Sequence, residues 1–231
     1  MRALALALPC LVAVASLGAR SARLLYVEAP GDAPAALHVV VGKDATRLDL
    51  PRLAVSSGSA ALPSAAIRIH LAERAPTRRE PLPADVPFVD LPAGGQDVLL
   101  VLMPGGAPGP LGFRAQAIDF SPARLPEGGV LWMNLSRRTL DARLGGAAAR
   151  VSPGQSRVMV PGSPAGSTYP VFVDLAPGAG ETEPQPLLRA TWMRDPGRRQ
   201  LLFVLDDPDR AVPRIVSVPH RLDPPDPALS R

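Results

Sequence analysis

Asp206, Asp207 and Asp209 form the densest group of carboxylates in the chain, directly after the apolar run Leu201–Leu205. Calcium takes roughly six to eight oxygen ligands, and an acidic loop at the end of a β-sandwich can supply several of them, so these aspartates are the candidate cation ligands. Pro208 offers a second reading, because aspartate before proline commonly starts an ordinary turn. No glycine at the bend and no following glutamate completes an EF-hand loop. His38, His70 and His220 are too far apart in sequence to form a metal-binding pair and read as solvated surface residues. No Gly-X-Ser-X-Gly elbow occurs, and Ser57, Ser59 and Ser163 lie in small-residue loops where serine bonds nearby backbone. Without a base held against any of these serines, enzymatic activity is not expected.

Binding chemistry is the better-supplied class. Trp132 alternates with Leu131 and Met133, and it shares its strand face with Val130 and Asn134. If Leu131, Met133 and Leu135 form the core face, Trp132 is partly exposed and can stack on a sugar, with Asn134, Arg137 and Arg138 beside it. Core packing or an interface is the favoured reading of Trp132, since aromatics are only 4% of the chain, sparse for a carbohydrate surface. Trp192 shares its face with Leu188 and Ala190 and reads as core. Asn134-Leu135-Ser136 fits a glycosylation acceptor, a short pattern that is common by chance. The pairs Arg78-Arg79, Arg137-Arg138 and Arg198-Arg199 fall at turns, where they serve solubility or meet anionic polymers and headgroups.

The elements that position these residues follow from composition and period. The 231 residues are 46% hydrophobic, enough for a packed core, while Pro 29 and Gly 20 exclude an all-helical fold. The net charge is only +4, and Lys43 is the sole lysine, so the basic character belongs to dispersed arginines. Without a long basic run, nucleic acid is not an expected partner.

Arg2, the apolar stretch Ala3–Ala15 and the small residues up to Ala19 have the order of a signal peptide over 1–19, too short for a comfortable membrane span. Cleavage is expected between Ala15 and Ala22, leaving no transmembrane segment. Cys10 lies within the leader, so the mature chain would hold no disulfide and no thiolate.

Beyond the leader, alternation at 46–50 and 67–72 predicts strands with one wet face, and the unbroken runs 98–103 and 201–205 predict strands covered on both faces. Asp195-Pro196-Gly197 predicts a tight hairpin, and 75–87 predicts an irregular proline-rich connector. Similar strand strings recur 75 residues apart (24 to 99) and 72 apart (130 to 202), a hint of internal duplication. The expected architecture is all-β, one or two small antiparallel β-sandwiches, at 20–121 and 129–221, with a proline-rich tail at 222–231.

In the second half, Asn134-Leu135-Ser136, Leu144-Gly145, Pro153-Gly154-Gln155-Ser156, Trp192, Asp195-Pro196, Arg198-Arg199 and Leu201–Val204 resemble a group of uncharacterised exported bacterial proteins. The resemblance covers about a third of the chain, in turn and strand residues. It implies export and a β fold, and no site residues. Together these features predict an exported, non-catalytic cell-envelope protein, periplasmic or extracellular, acting through protein contacts in a structural or assembly role. A module binding glycan or another anionic envelope polymer is the alternative, and an exported hydrolase comes third. No cofactor is expected, because no phosphate loop, thiol or metal set is present.

Overall fold

The computed structural model describes residues 20–105, 111–178 and 180–222, so the leader 1–19 with Cys10 and most of the tail lie outside the described residues. The chain is all-β. The first half contains β1 (Arg20–Tyr26), β2 (Ala36–Val41), β3 (Asp44–Asp49), β4 (Ala60–Leu62), β5 (Arg68–Ala72), β6 (Phe88–Asp90), β7 (Asp97–Pro104) and β8 (Phe113–Asp119). The second contains β9 (Val130–Asn134), β10 (Leu140–Leu144), β11 (Ala147–Val151), β12 (Ser156–Met159), β13 (Thr168–Leu175), β14 (Gln185–Met193), β15 (Arg198–Leu205) and β16 (Arg214–Arg221).

Four four-stranded sheets result, with orders β4-β1-β7-β8 and β3-β2-β5-β6 in the first half. Those of the second half, β12-β9-β15-β16 and β11-β10-β13-β14, repeat them strand for strand. Even the two-residue hairpin loops match: Gly42 follows β2 at φ +59° and Gly145 follows β10 at φ +56°. Glycine as the first loop residue at positive φ, with an ordinary φ at Lys43 and Gly146, is the pattern of a type II′ turn, whose twist suits paired strands.

Three apolar clusters stack these sheets into four layers. Leu24, Leu100 and Leu102 face Leu37, Val39, Ile69 and Leu71 within the first half. Trp132, Leu202 and Val204 face Leu140, Val171 and Val173 within the second. Between the halves, Leu25, Leu99 and Val101 meet Leu131, Met133, Leu201 and Phe203. Successive side chains of β7 and β15 thus enter different cores, which is why their sequences are apolar without alternation.

Three sequence expectations need correction. The sheets are not purely antiparallel: β1 pairs with β7, and β9 with β15, in parallel. A parallel pair needs a long crossover, and the hairpins and second sheet of each half supply it. Asp195-Pro196-Gly197 does not close a hairpin, because β14 and β15 belong to different sheets. The turn carries the chain between layers, and Gly197 does not use positive φ. Strands β4, β6 and β11 escape the sequence pattern; β4 and β6 are three residues long, and β11 is Ala147-Ala148-Ala149-Arg150-Val151, with little β propensity. The connector at 73–87 contains no regular element.

Candidate functional site

The residues nominated in sequence do not assemble into one site. Trp132 has no exposed surface and belongs to the second-half core, so its core reading holds and the stacking reading, with Trp132 as a binding residue, is corrected. The premise failed because both faces of β9 are covered, one by the inter-half core and the other by the second-half core. Asn134 is also fully buried. Its amide donates to the carbonyls of Arg138 (2.7 Å) and Val151 (2.9 Å), while its oxygen accepts from the Ser136 hydroxyl (2.7 Å). It organises the β9–β10 turn, and a side chain so enclosed is no glycan acceptor. Arg138 is tied to Glu181 (2.5 Å) and to the Ala176 carbonyl (2.8 Å). The Gly178 amide, and after it that bridge, hold the Glu181 carboxyl below its ordinary pKa. Arg137 is exposed and pairs loosely with Asp206 at 3.5 Å.

The three aspartates do not converge either. Asp207 accepts from the Asp209 amide (3.1 Å) and faces Arg210 (3.7 Å), an ordinary aspartate turn. Among the described residues no three histidine, cysteine, aspartate or glutamate side chains come together as a metal site. Arg199 is not at the surface: it is 5% exposed, with its guanidinium 5.1 Å from the Phe120 ring and donating to the Phe120 carbonyl (2.9 Å). Burial there lowers its pKa. His220 belongs to β16 and lies against Phe120, 5.1 Å between ring centroids, rather than in a solvated tail.

The structure brings a different group together. In the first half the edge strands β6 and β8 pack on one another. Their counterparts β14 and β16 stand apart across a cleft of about 720 Å³. Trp192 and Leu188 of β14 line one wall, Gln200, Leu202, Ile215 and Ser217 line the other, and Tyr169, Arg194, Asp195 and Arg198 close one end. Trp192, expected in the core, does pack against the second-half core with Leu188 and Ala190 but is only partly buried, bordering the cleft.

The opening follows from residue differences between the halves. Leu100 pairs with Ala117, and Leu202 occupies the same place opposite Ser217. Two residues before these leucines stand Val98 and Gln200. Val98 and Ala117 pack into the first-half core, whereas Gln200 donates a hydrogen bond to Ser217. Polar groups at inward positions keep the second edge wet.

The end of the cleft differs in the same way. Leu24 and Trp132 hold matching places opposite Leu100 and Leu202. Four residues earlier stand Arg20 in one half and Gly128 in the other. Arg20 plugs the first half, donating to the carbonyls of Gly95, Ala66 and Pro92, each at 2.8 Å. In the second half the plug comes from the opposite side: Arg194 donates to the Ser163 carbonyl, and its Nε would lie 3.4 Å from a Cβ at Gly128. Gly128 at φ +67° and Gly129, where a Cβ would fall 2.7 Å from the Pro126 carbonyl oxygen, leave that space open. Tyr169 lies beside Arg194; burial raises its phenol pKa and the arginine's charge opposes the rise.

Sequence reading missed this cleft because its walls come from segments far apart in the chain. The available signal was Gly128-Gly129 standing where the first half has Arg20-Ser21, visible only once the halves are aligned. No protein-family model matches the chain, and no relative was found among curated proteins.

Proposed function

We propose that this is an exported, non-catalytic binding protein of the cell envelope, and that it binds through the cleft between β14 and β16. The observation that carries the proposal is the asymmetry of two halves with the same topology: one edge is closed over apolar side chains, the other is open and lined by tryptophan, arginine and amide groups. Its volume falls within the roughly 300 to 1,000 Å³ range of ligand sites. Immobilised protein is expected to retain polysaccharide solubilised from the envelope. Trp192→Ala should lose that retention while melting within about 5 °C of wild type, since Trp192 is only partly buried. Equal retention by both proteins would remove the cleft from the proposal.

Export belongs to the same reading. The three carbonyl bonds of Arg20 favour cleavage no later than Ala19, because removal of Arg20 would unplug the first half. N-terminal sequencing of exported protein is expected to begin at or before Arg20. A mature chain starting beyond it would contradict both the plug and the site.

A structural or assembly role through protein contacts is the second reading, favoured by the outer face of the first half. There Phe88 is 51% exposed, with the Arg68 guanidinium 3.9 Å above its ring. Aromatic and arginine side chains are enriched in interfaces. Under this reading Phe88→Ser, and not Trp192→Ala, weakens capture of an envelope protein.

A further inference from the structure

We infer that the cleft takes an acidic saccharide, its carboxylate or phosphate held by Arg198 and a sugar ring stacked on Trp192. The inference rests on the binding role proposed for this cleft and adds the chemistry of the ligand. Charge is the first reason. Arg194, Arg198 and Asp195 are the ionised groups of the lining, a small positive excess. Arg194 is anchored by one Nη on the Ser163 carbonyl, although its Nε, like that of Arg198, is buried without a hydrogen-bond partner. Asp195 accepts from the Gly197 amide (2.9 Å), and its other oxygen stays 3.7 Å from the Arg198 Nε, beyond hydrogen-bond range. The Arg198 Nε is itself buried without a hydrogen-bond partner. A guanidinium with spare donors in a partly dry cleft is a receptor for a planar or tetrahedral anion.

The rest of the lining selects what carries the anion. Trp192 presents an aromatic wall, and Gln200, Ser217 and Thr191 supply amide and hydroxyl groups suited to sugar hydroxyls. A purely apolar ligand would seal the Arg198 guanidinium, whose Nε already lacks a hydrogen-bond partner, against a surface that accepts nothing, which is costly. A nucleic acid strand would need several cations along its path, and the cleft offers a small excess at one end only.

Calorimetric titration of the full chain with tetragalacturonate, its full methyl ester and a singly phosphorylated maltotetraose tests the inference. At least one acidic probe is expected to bind about tenfold or more tightly than the neutral ester, and the order of the two acids identifies carboxylate or phosphate as the source. Arg198→Ala should erase the preference for acid over ester, while Trp192→Ala should weaken acid and ester alike. Equal affinity for acid and ester in wild type, an unchanged preference in Arg198→Ala, or no binding of either acid at millimolar concentration would each overturn the inference. If the acids fail while envelope polysaccharide is still retained through Trp192, the acidic ligand is wrong and the cleft stands. If retention is also indifferent to Trp192, both fall.

Discussion

Replacing Trp132 with alanine is expected to destabilise the protein by about 3 to 5 kcal/mol, because the indole is fully enclosed in the second-half core. For a chain of this size each kcal/mol moves the melting temperature by roughly 2 to 4 °C, so a drop of about 10 °C is expected. Trp132→Phe should cost much less. The Trp132 Nε1 is buried without a hydrogen-bond partner, so the phenyl ring gives up some volume and also relieves an unsatisfied donor. Thermal melts of the three proteins check this ordering. An alanine variant melting within about 2 °C of wild type would mean that sheet β12-β9-β15-β16 is not covered on both faces.

Arg20→Ala is expected to have the second large effect. Its guanidinium is the donor to three backbone carbonyls, those of Gly95, Ala66 and Pro92. These belong to the crossing from β6 to β7 and to the approach to β5, so one side chain ties β1 to two connections. Hydrogen bonds to a charged donor contribute about 1.5 to 3 kcal/mol each, and water can reach part of the vacated space, so a loss of about 3 kcal/mol or more is expected in urea denaturation. Arg20→Lys should recover only part of it, since an ammonium cannot place a rigid fork on three separated carbonyls. Arg47→Ala, a change at an exposed side chain paired only loosely with Asp49, is the control and should cost less than about 0.5 kcal/mol. Matching midpoints for Arg20→Ala and Arg47→Ala would show that the plug is dispensable.

The two arginine plugs also mark where one fold, used twice, differs between the halves. In the first half the plug arises from β1 itself and accompanies a closed edge. In the second half the Arg194 plug is set back beside glycine, and the freed end leads into the cleft. The inter-half core is continuous, so the closed half is a rigid support for the open one. Side chains on strands backed by a dry core have a fixed geometry, which the proposed binding role of the cleft would use.

Sequence alone determined that the chain is β and where most strands lie, because these depend on local period, on turn residues and on the total apolar content; it only hinted at a repeat, which the matching strand orders of the two halves then showed. The unbroken runs at Val98–Met103 and Leu201–Leu205 announced central strands, and those side chains do divide between two cores. What sequence could not supply was which of two apolar faces meets which layer. Trp132 and Trp192 each alternate with neighbours in a way that fits either core or surface, and only packing separates the two: Trp132 is enclosed in the second-half core, as its core reading has it, while Trp192 packs against that core and also borders the cleft. The same limit applied to Arg198 and Arg199, read from sequence as turn residues but standing at the start of β15, of which one faces the cleft and the other is buried at the inter-half interface. Strand period fixes only that adjacent side chains point oppositely; whether either direction holds water, protein or a ligand is set by sheets that pair residues 70 or more positions apart, such as β1 with β7 and β9 with β15.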